Sequence, residues 1–401
     1  MKIIIHRGQN QIGGSIVEVA TEKTRIVFDA GINLDEKETV DIPEIEGLFS
    51  GHKLYDAVFI SHYHSDHIGL LDYIVPDIPI FMGEKSYNIF KSASEYRRKS
   101  SSFKPTFIYD RTAITVGDIT ITPFICDHSA FDSYMFLIEA DEQKVLYTGD
   151  FRANGRLDFD ALLSMLPKVE VLIIEGTTLT RESNIANIEE EFLEEIAVKE
   201  LQKHKGPAFI MMSAMNIDRL ITAYNAANAT DRIFLEDIYS AEIATSIEED
   251  VPKPNGKLPA RVFLTVGGDE NYKKLQKFGK AKIGKEEIAK TPFLMCVRSS
   301  MINYLKRLNE LCSFEDGVLF YGMWKGYMEQ ESTKAFIEFM KSKGVKLHIL
   351  HTSGHADELT IERMITTVSP KIIIPIHTEN ADWFDKYTGI HIVKDCKSIT
   401  I

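Results

Sequence analysis

Ser61-His62-Tyr63-His64-Ser65-Asp66-His67 follows directly on Ala57–Ile60, a short apolar run that reads as a β-strand. Three histidines and one aspartate stand between positions 62 and 67. Imidazole and carboxylate suit Zn²⁺, and their alternation lets one tight loop present ligands to two metals. The chain has 12 histidines, and a quarter of them fall in this segment, a density that an ordinary solvated loop does not explain.

Two metals need more ligands than one loop supplies. His128 follows the expected strand Asp118–Phe124, Asp150 follows Lys144–Tyr147, and His377 follows Lys371–Ile376. Each is a ligand-capable side chain where a strand ends in a loop, the usual place for a site in an α/β enzyme. Alone, each has an ordinary reading, a hydrogen-bonded surface histidine or a turn aspartate. Their weight comes from the set.

The surrounding sequence supports such a scaffold. The first third alternates short β-branched runs (Lys2–His6, Ser15–Val19, Arg25–Phe28) with glycine-containing turns, and His67–Val75 reads as a helix. The middle changes character. Asn187–Lys203 reads as an amphipathic helix with Ile188, Phe192, Ile196 and Leu201 as its buried stripe. Ala208–Met212, Asp218–Ala227 and Arg232–Leu235 then alternate strand and helix, as in a small parallel sheet. A helix over Glu331–Lys343, a strand over Lys346–Leu350 and a helix near Glu358–Thr366 lead back to the opening style.

Composition bounds the function. Lys and Arg number 46 against 59 Asp and Glu, a formal charge of −13 over 401 residues. A global basic field for nucleic acid is therefore absent, and any such partner needs a local one. Lys273, Lys274, Lys277, Lys280, Lys282 and Lys285, with Arg97, Arg98 and Lys99, are the local candidates. No apolar run approaches the roughly 20 residues a membrane helix needs. The opening MKIIIHRGQNQ turns polar too early for a signal peptide, so no membrane partner and a cytoplasmic location are expected. Cys126, Cys296, Cys312 and Cys396 are too scattered for a disulfide framework or thiolate zinc site, and Cys126 reads as a packing residue. Asp35, Asp41 and Asp56 read as loop acids.

The full set resembles the metallo-β-lactamase superfamily and, within it, the β-CASP branch. HYHSDH fits the superfamily's HxHxDH signature; Asp29, His128 and Asp150 in the TGD turn extend the match. Glu175 in IIEGT matches the branch's acidic motif A, His355 in HTSGHAD its motif B, and His377 in IPIHTE its motif C. HTSGHA followed by IPIH is most similar to ribonuclease J-type RNA-processing nucleases. The resemblance implies an α/β fold, a metallo-β-lactamase αββα sandwich with an inserted β-CASP α/β domain. Residues 1–180 would form the first part of the sandwich, 181–346 the insertion and 347–401 the completion.

It also implies residue roles. His62, His64 and His128 would hold one metal; Asp66, His67 and His377 the second; Asp150 would bridge. Asp66 would orient or deprotonate the attacking water, and Asp29 would fix a ligand histidine from behind. His355, kept charged by Glu175, would face the scissile phosphate. Ser353, Gly354 and His351 are candidates for phosphate contacts, His351 standing equally well as a strand cap. Where ribonuclease J proteins carry a Gly-Ser-Gln-Gly-type segment, this chain reads Met295-Cys296-Val297-Arg298-Ser299-Ser300-Met301, which offers Arg298 and Ser299 instead. Ser213, Asn216 and Arg219 read either as a substrate-facing turn or as a helix N-cap.

The expected function is a dinuclear, zinc-dependent phosphodiesterase with two divalent ions, manganese being the second candidate. Its substrate would be single-stranded RNA, with DNA a further option, cut internally, from the 5′ end, or both. A homo-oligomer is left open. The alternative is a hydrolase of a small phosphoester, thioester or lactone, for which His355 would have no obvious task.

Overall fold

The computed structural model describes all residues except 35–39, 100, 102, 181–185 and 396–397; Asp35, Arg181 and Cys396 lie outside the described residues. Two compact units emerge. One comprises Met1–Ser94, Lys99–Asn187 and Gly354–Ile401; the other comprises Glu95–Arg98 and Ile188–Ser353. Among the described residues no helix is long and apolar enough to cross a membrane.

The first unit is built on two seven-stranded sheets. In spatial order, one sheet runs Ile399–Thr400, Lys2–Arg7, Ile16–Ala20, Arg25–Phe28, Ala57–Phe59, Ile80–Gly83 and Thr106–Ile108. The other runs His391–Ile392, Ile372–Ile376, Val171–Glu175, Gln143–Tyr147, Ser133–Ala140, Ile119–Cys126 and Ile114–Val116. Ile16–Ala20 and Val171–Glu175 are buried along their whole length, Glu18 and Glu175 included. Phe28 of one sheet meets Phe136 and Tyr147 of the other, ring centroids 5.4 and 5.7 Å apart, so the sheets face one another. Burying each such aromatic is worth about 1.5–3 kcal/mol. Helices Phe159–Met165 and Glu358–Val368 cover the second sheet's outer face through Phe159, Leu162, Ile361 and Met364.

The pairing also sets up the site. Arg25–Phe28 is parallel to Ala57–Phe59, and Gln143–Tyr147, Val171–Glu175 and Ile372–Ile376 are mutually parallel, Glu175 standing opposite Ile376. The residues just beyond these strands are Asp29, Ser61–His67, Asp150, Thr177 and His377.

The second unit is a six-stranded parallel sheet in the order Arg261–Phe263, Ile233–Asp237, Phe293–Val297, Ala208–Met211, Val318–Tyr321 and Lys346–Ile349. Three of these strands escaped the sequence reading because their short apolar runs lack a distinctive period.

Three further local readings need correction or completion. The helix in the middle segment is Glu190–Leu201, and its buried face is Glu190, Leu193, Ala197 and Leu201. Ile188 and Phe192 are 40% and 50% exposed. The cause is Glu190, which receives Nε of buried Arg219 at 2.6 Å and thereby rotates a charged residue inward. Arg219 is thus internal, and Asn216 caps the helix Ile217–Asn228 by accepting the N–H of Arg219, which settles that turn as an N-cap. The expected helix His67–Val75 is two short pieces, Ser65–Ile68 and Leu71–Tyr73, because the chain turns at Gly69, where a Cβ would lie 2.5 Å from the Ser65 carbonyl.

Candidate metal centre

The site is assembled on loops that leave strands of the first unit, most of them parallel, with His128 after the antiparallel strand Ile119–Cys126. Asp29 and His377 both adopt left-handed backbone conformations, with φ of +59° and +50°. Such residues cost about 1–3 kcal/mol each and persist where their surroundings over-determine them. For Asp29 the determinants are visible. Its carboxylate accepts from Ser61 N (2.7 Å), Ser61 Oγ (2.8 Å), Tyr147 OH (2.6 Å) and His67 Nδ1 (2.8 Å). His377 N donates to the Gly8 carbonyl at 2.6 Å. Gly31 lets the backbone pass so close to the Asp66 carbonyl that any Cβ would collide with it.

Two groups of ligand atoms result. His62 Nε2 and His128 Nε2 each lie 3.1 Å from His64 Nδ1. Beside them, His67 Nε2 lies 3.1 Å from Asp150 Oδ2, and His377 Nε2 lies 3.1 Å from Asp66 Oδ2. Asp150 Oδ2, a member of the second group, also approaches the first, standing 3.8 Å from His62 Nε2 and 3.9 Å from His128 Nε2, and it is 3.7 Å from His377 Nε2.

The electrostatics favour cations. Burial, reinforced by the neighbouring imidazoles, holds His62 and His128 well below the ordinary histidine range; burial brings His64 to about 4. Neutral imidazole is thus the favoured form of all three rings, and their candidate ligand nitrogens lie within 4.8 Å of one another. For His67 burial acts in the same direction, but the Asp150, Asp29 and Asp66 carboxylates outweigh it and push the imidazole well above its usual value. Burial would raise Asp66 and Asp150, yet the surrounding histidines hold both below the carboxylate range. His67 Nε2 and Asp150 Oδ1 are buried and make no hydrogen bond. Orphaned donors and acceptors of this kind, set among converging imidazoles, are what a pair of divalent cations would satisfy. The donor set fits the group.

Behind the ligands stands a second layer. His62 Nδ1 lies 3.0 Å from Ser61 Oγ, His128 Nδ1 bonds to the Gly354 carbonyl, and His377 Nδ1 lies 2.7 Å from Thr177 Oγ1. Glu175 is fully buried and lies 3.1 Å from His355 Nδ1. Burial opposes the charged form of His355, but Glu175 and Asp150 raise it to about 9. His355, Glu175, Asp150 and His377 also form a ligand-capable group of their own.

The remaining sequence-derived candidates lie as follows. Gly354 turns its carbonyl to His128. Ser353 is buried in the second unit, and His351 Nδ1 is 3.3 Å from the Gly322 carbonyl there. Arg298 forms a two-pronged ion pair with Asp237 and lies 4.9 Å from the Tyr239 ring centroid; Ser299 opens the short turn Ser299–Met301. Cys126 is buried and its thiol is pushed up by burial, as suits a packing residue. Ser61, Tyr147 and Thr177 were not legible in the sequence. A hydroxyl next to a ligand is too common to be a signal by itself.

Residues 24–235 match a beta-lactamase superfamily domain, and residues 344–393 match a Zn-dependent metallo-hydrolase RNA specificity domain. Among curated proteins, the chain is 22% identical to Ribonuclease J 2 of Streptococcus pyogenes, over 95% of this chain and 70% of that one. It is 23% identical to Ribonuclease J of Helicobacter pylori, over 94% of this chain and 56% of the relative. With the RNase J-like protein of Methanocaldococcus jannaschii it shares 25% identity over 93% and 91% of the two chains. A crystal structure of a protein of unknown function from Enterococcus faecalis shares the fold, with a TM-score of 0.82 and 20% identity, covering 100% of this chain and 99% of the other.

Proposed function

Because the chain belongs to the beta-lactamase superfamily, in its ribonuclease J-like β-CASP branch, we propose that it is a dinuclear zinc-dependent phosphodiesterase that cleaves single-stranded RNA. One observation carries the reading: the group His62, His64 and His128 stands beside the group Asp66, His67, Asp150 and His377, with Asp150 Oδ2 within 3.9 Å of His62 and His128 and the pair His355–Glu175 alongside, His355 Nδ1 3.7 Å from Asp150 Oδ2. His62, His64 and His128 would hold one ion, Asp66, His67 and His377 the other, with Asp150 between. When bound, such ions supply Lewis acidity and a water acidified toward neutrality.

The chain's own groups do the rest. Asp29 and Ser61 orient His67 and His62 from behind. Asp66 orients the attacking water and accepts its proton. His355, held charged by Glu175, donates a proton to the leaving oxygen while stabilising charge on the phosphate. A hydrolase of small esters would have no use for that pair. The compact second unit, Glu95–Arg98 and Ile188–Ser353, supports reading residues 181–346 as the inserted domain; Arg298 and Ser299 within it, and His351, Ser353 and Gly354 after it, are the candidate phosphate contacts.

An RNA backbone needs countercharge in this acidic chain. Lys273, Lys277 and Lys280 are exposed in the second unit and form no ion pair among the described residues, and Arg98 joins the same region through Glu270. Replacing the three lysines with glutamine is expected to lower the slope of log affinity against log salt by about 1 per residue, measured by anisotropy with a single-stranded RNA. An unchanged slope would place the RNA path elsewhere.

The function itself is tested with 5′-labelled single-stranded RNA and DNA, in zinc and in manganese. Cleavage of RNA is expected. No cleavage of either strand, together with hydrolysis of a small phosphodiester or thioester, would overturn the proposal.

A further inference from the structure

Glu175 does more than face His355. It is fully buried, and its two oxygens accept from Phe151 N (3.0 Å), Ala356 N (3.4 Å), Thr177 N (3.3 Å) and Thr177 Oγ1 (2.7 Å), besides standing beside His355 Nδ1. Phe151 follows Asp150, and Ala356 follows His355, so one carboxylate ties both segments. The third tie runs through a single hydroxyl. Thr177 Oγ1 also lies 2.7 Å from His377 Nδ1.

A hydroxyl has one proton to give. The carboxylate can only accept, and at 2.7 Å it offers a shorter, charge-assisted bond than the His377 carbonyl at 3.2 Å. The Thr177 proton therefore goes to Glu175, and His377 Nδ1 must be the donor to Thr177 Oγ1. Nδ1 therefore carries hydrogen, which leaves Nε2 as the nitrogen turned toward Asp66 and Asp150, 3.1 and 3.7 Å away. Ser61 stands in the same relation on the other side, between His62 Nδ1 and Asp29.

We infer that Thr177 is a positioning residue whose hydroxyl makes Glu175 a common support for both the substrate-facing His355 and the ligand His377, holding the latter by its Nδ1 so that Nε2 faces the centre. The inference rests on reading His377 as a metal ligand. Thr177 is 6% exposed, and valine matches its shape while removing the hydroxyl, so its effect reads the hydrogen bond rather than packing.

The test titrates the metal-free full chain with zinc against a competing chelator, without any RNA. Thr177→Val is expected to weaken one of two zinc ions about 10–100-fold, the scale of lost support behind a ligand histidine, and to leave the other unchanged. Thr177→Ser, which keeps the hydroxyl, should restore the wild-type titration; melting of the metal-free proteins should coincide. If valine is not accommodated, Thr177→Ala answers the same question. Two wild-type ions with unaltered affinities in the valine or alanine variant would overturn the inference, as would weakening that serine fails to rescue. A wild-type protein that takes up no pair of ions would overturn the reading of the centre beneath it.

Discussion

Asp150→Ala is expected to abolish hydrolysis, lowering the rate by about 10³-fold or more, equivalent to about 4 kcal/mol of lost transition-state stabilisation. The reason is geometric. Oδ2 of this one carboxylate lies within 3.9 Å of His62, His67, His128 and His377, histidines of both candidate ligand groups. Without it, the imidazoles of the first group face the second across an uncompensated gap, and both ions should bind more weakly. Elemental analysis of the variant should find fewer than two ions per chain, while melting of the metal-free protein stays near wild type. A variant that keeps both ions and its rate would remove Asp150 from the centre.

His355→Ala carries the second large effect, with the opposite metal outcome. Turnover on RNA should fall about 10²–10⁴-fold, the contribution of a positioned general acid. Both ions should remain. His355 is held by Glu175 rather than by the ligand groups, and burial alone would have stripped its proton. The structure makes the contrary result meaningful, because His355, Glu175, Asp150 and His377 lie close enough to hold an ion themselves. Loss of an ion in this variant would mean that His355 is a ligand and that proton donation comes from elsewhere.

These expectations draw on features of unequal legibility. The segment His62–His67 announces a metal loop because its candidate ligands are contiguous, and contiguity survives any fold. His128, Asp150 and His377 were legible one by one only as strand-end residues and gained weight from the motif set, and it is the parallel register of Gln143–Tyr147, Val171–Glu175 and Ile372–Ile376 that carries Asp150, Glu175 and His377 to one place. Elsewhere the linear reading failed for a definite cause. The apolar stripe drawn through Ile188 and Phe192 ignored Glu190, because no local pattern reveals that a glutamate will be drawn inward by an arginine 29 residues away. For Arg298, a candidate phosphate contact by sequence, the ion pair with Asp237 is a partner that only the fold supplies.

The sequence by itself determined the chemistry available: imidazoles and carboxylates in a metal-binding order, a motif set placing the chain in a hydrolase family, and a net charge that confines any basic surface to a patch. Only the tertiary structure decided how that chemistry is held. It sets Asp150 between the two candidate ligand groups, Glu175 beside His355, and Ser61 and Thr177 as hydroxyl links, through contacts such as Thr177 to His377 between residues 200 positions apart. A side chain's type is local information, but its tautomer, charge and direction are set by whichever groups the fold brings within about 3 Å of it.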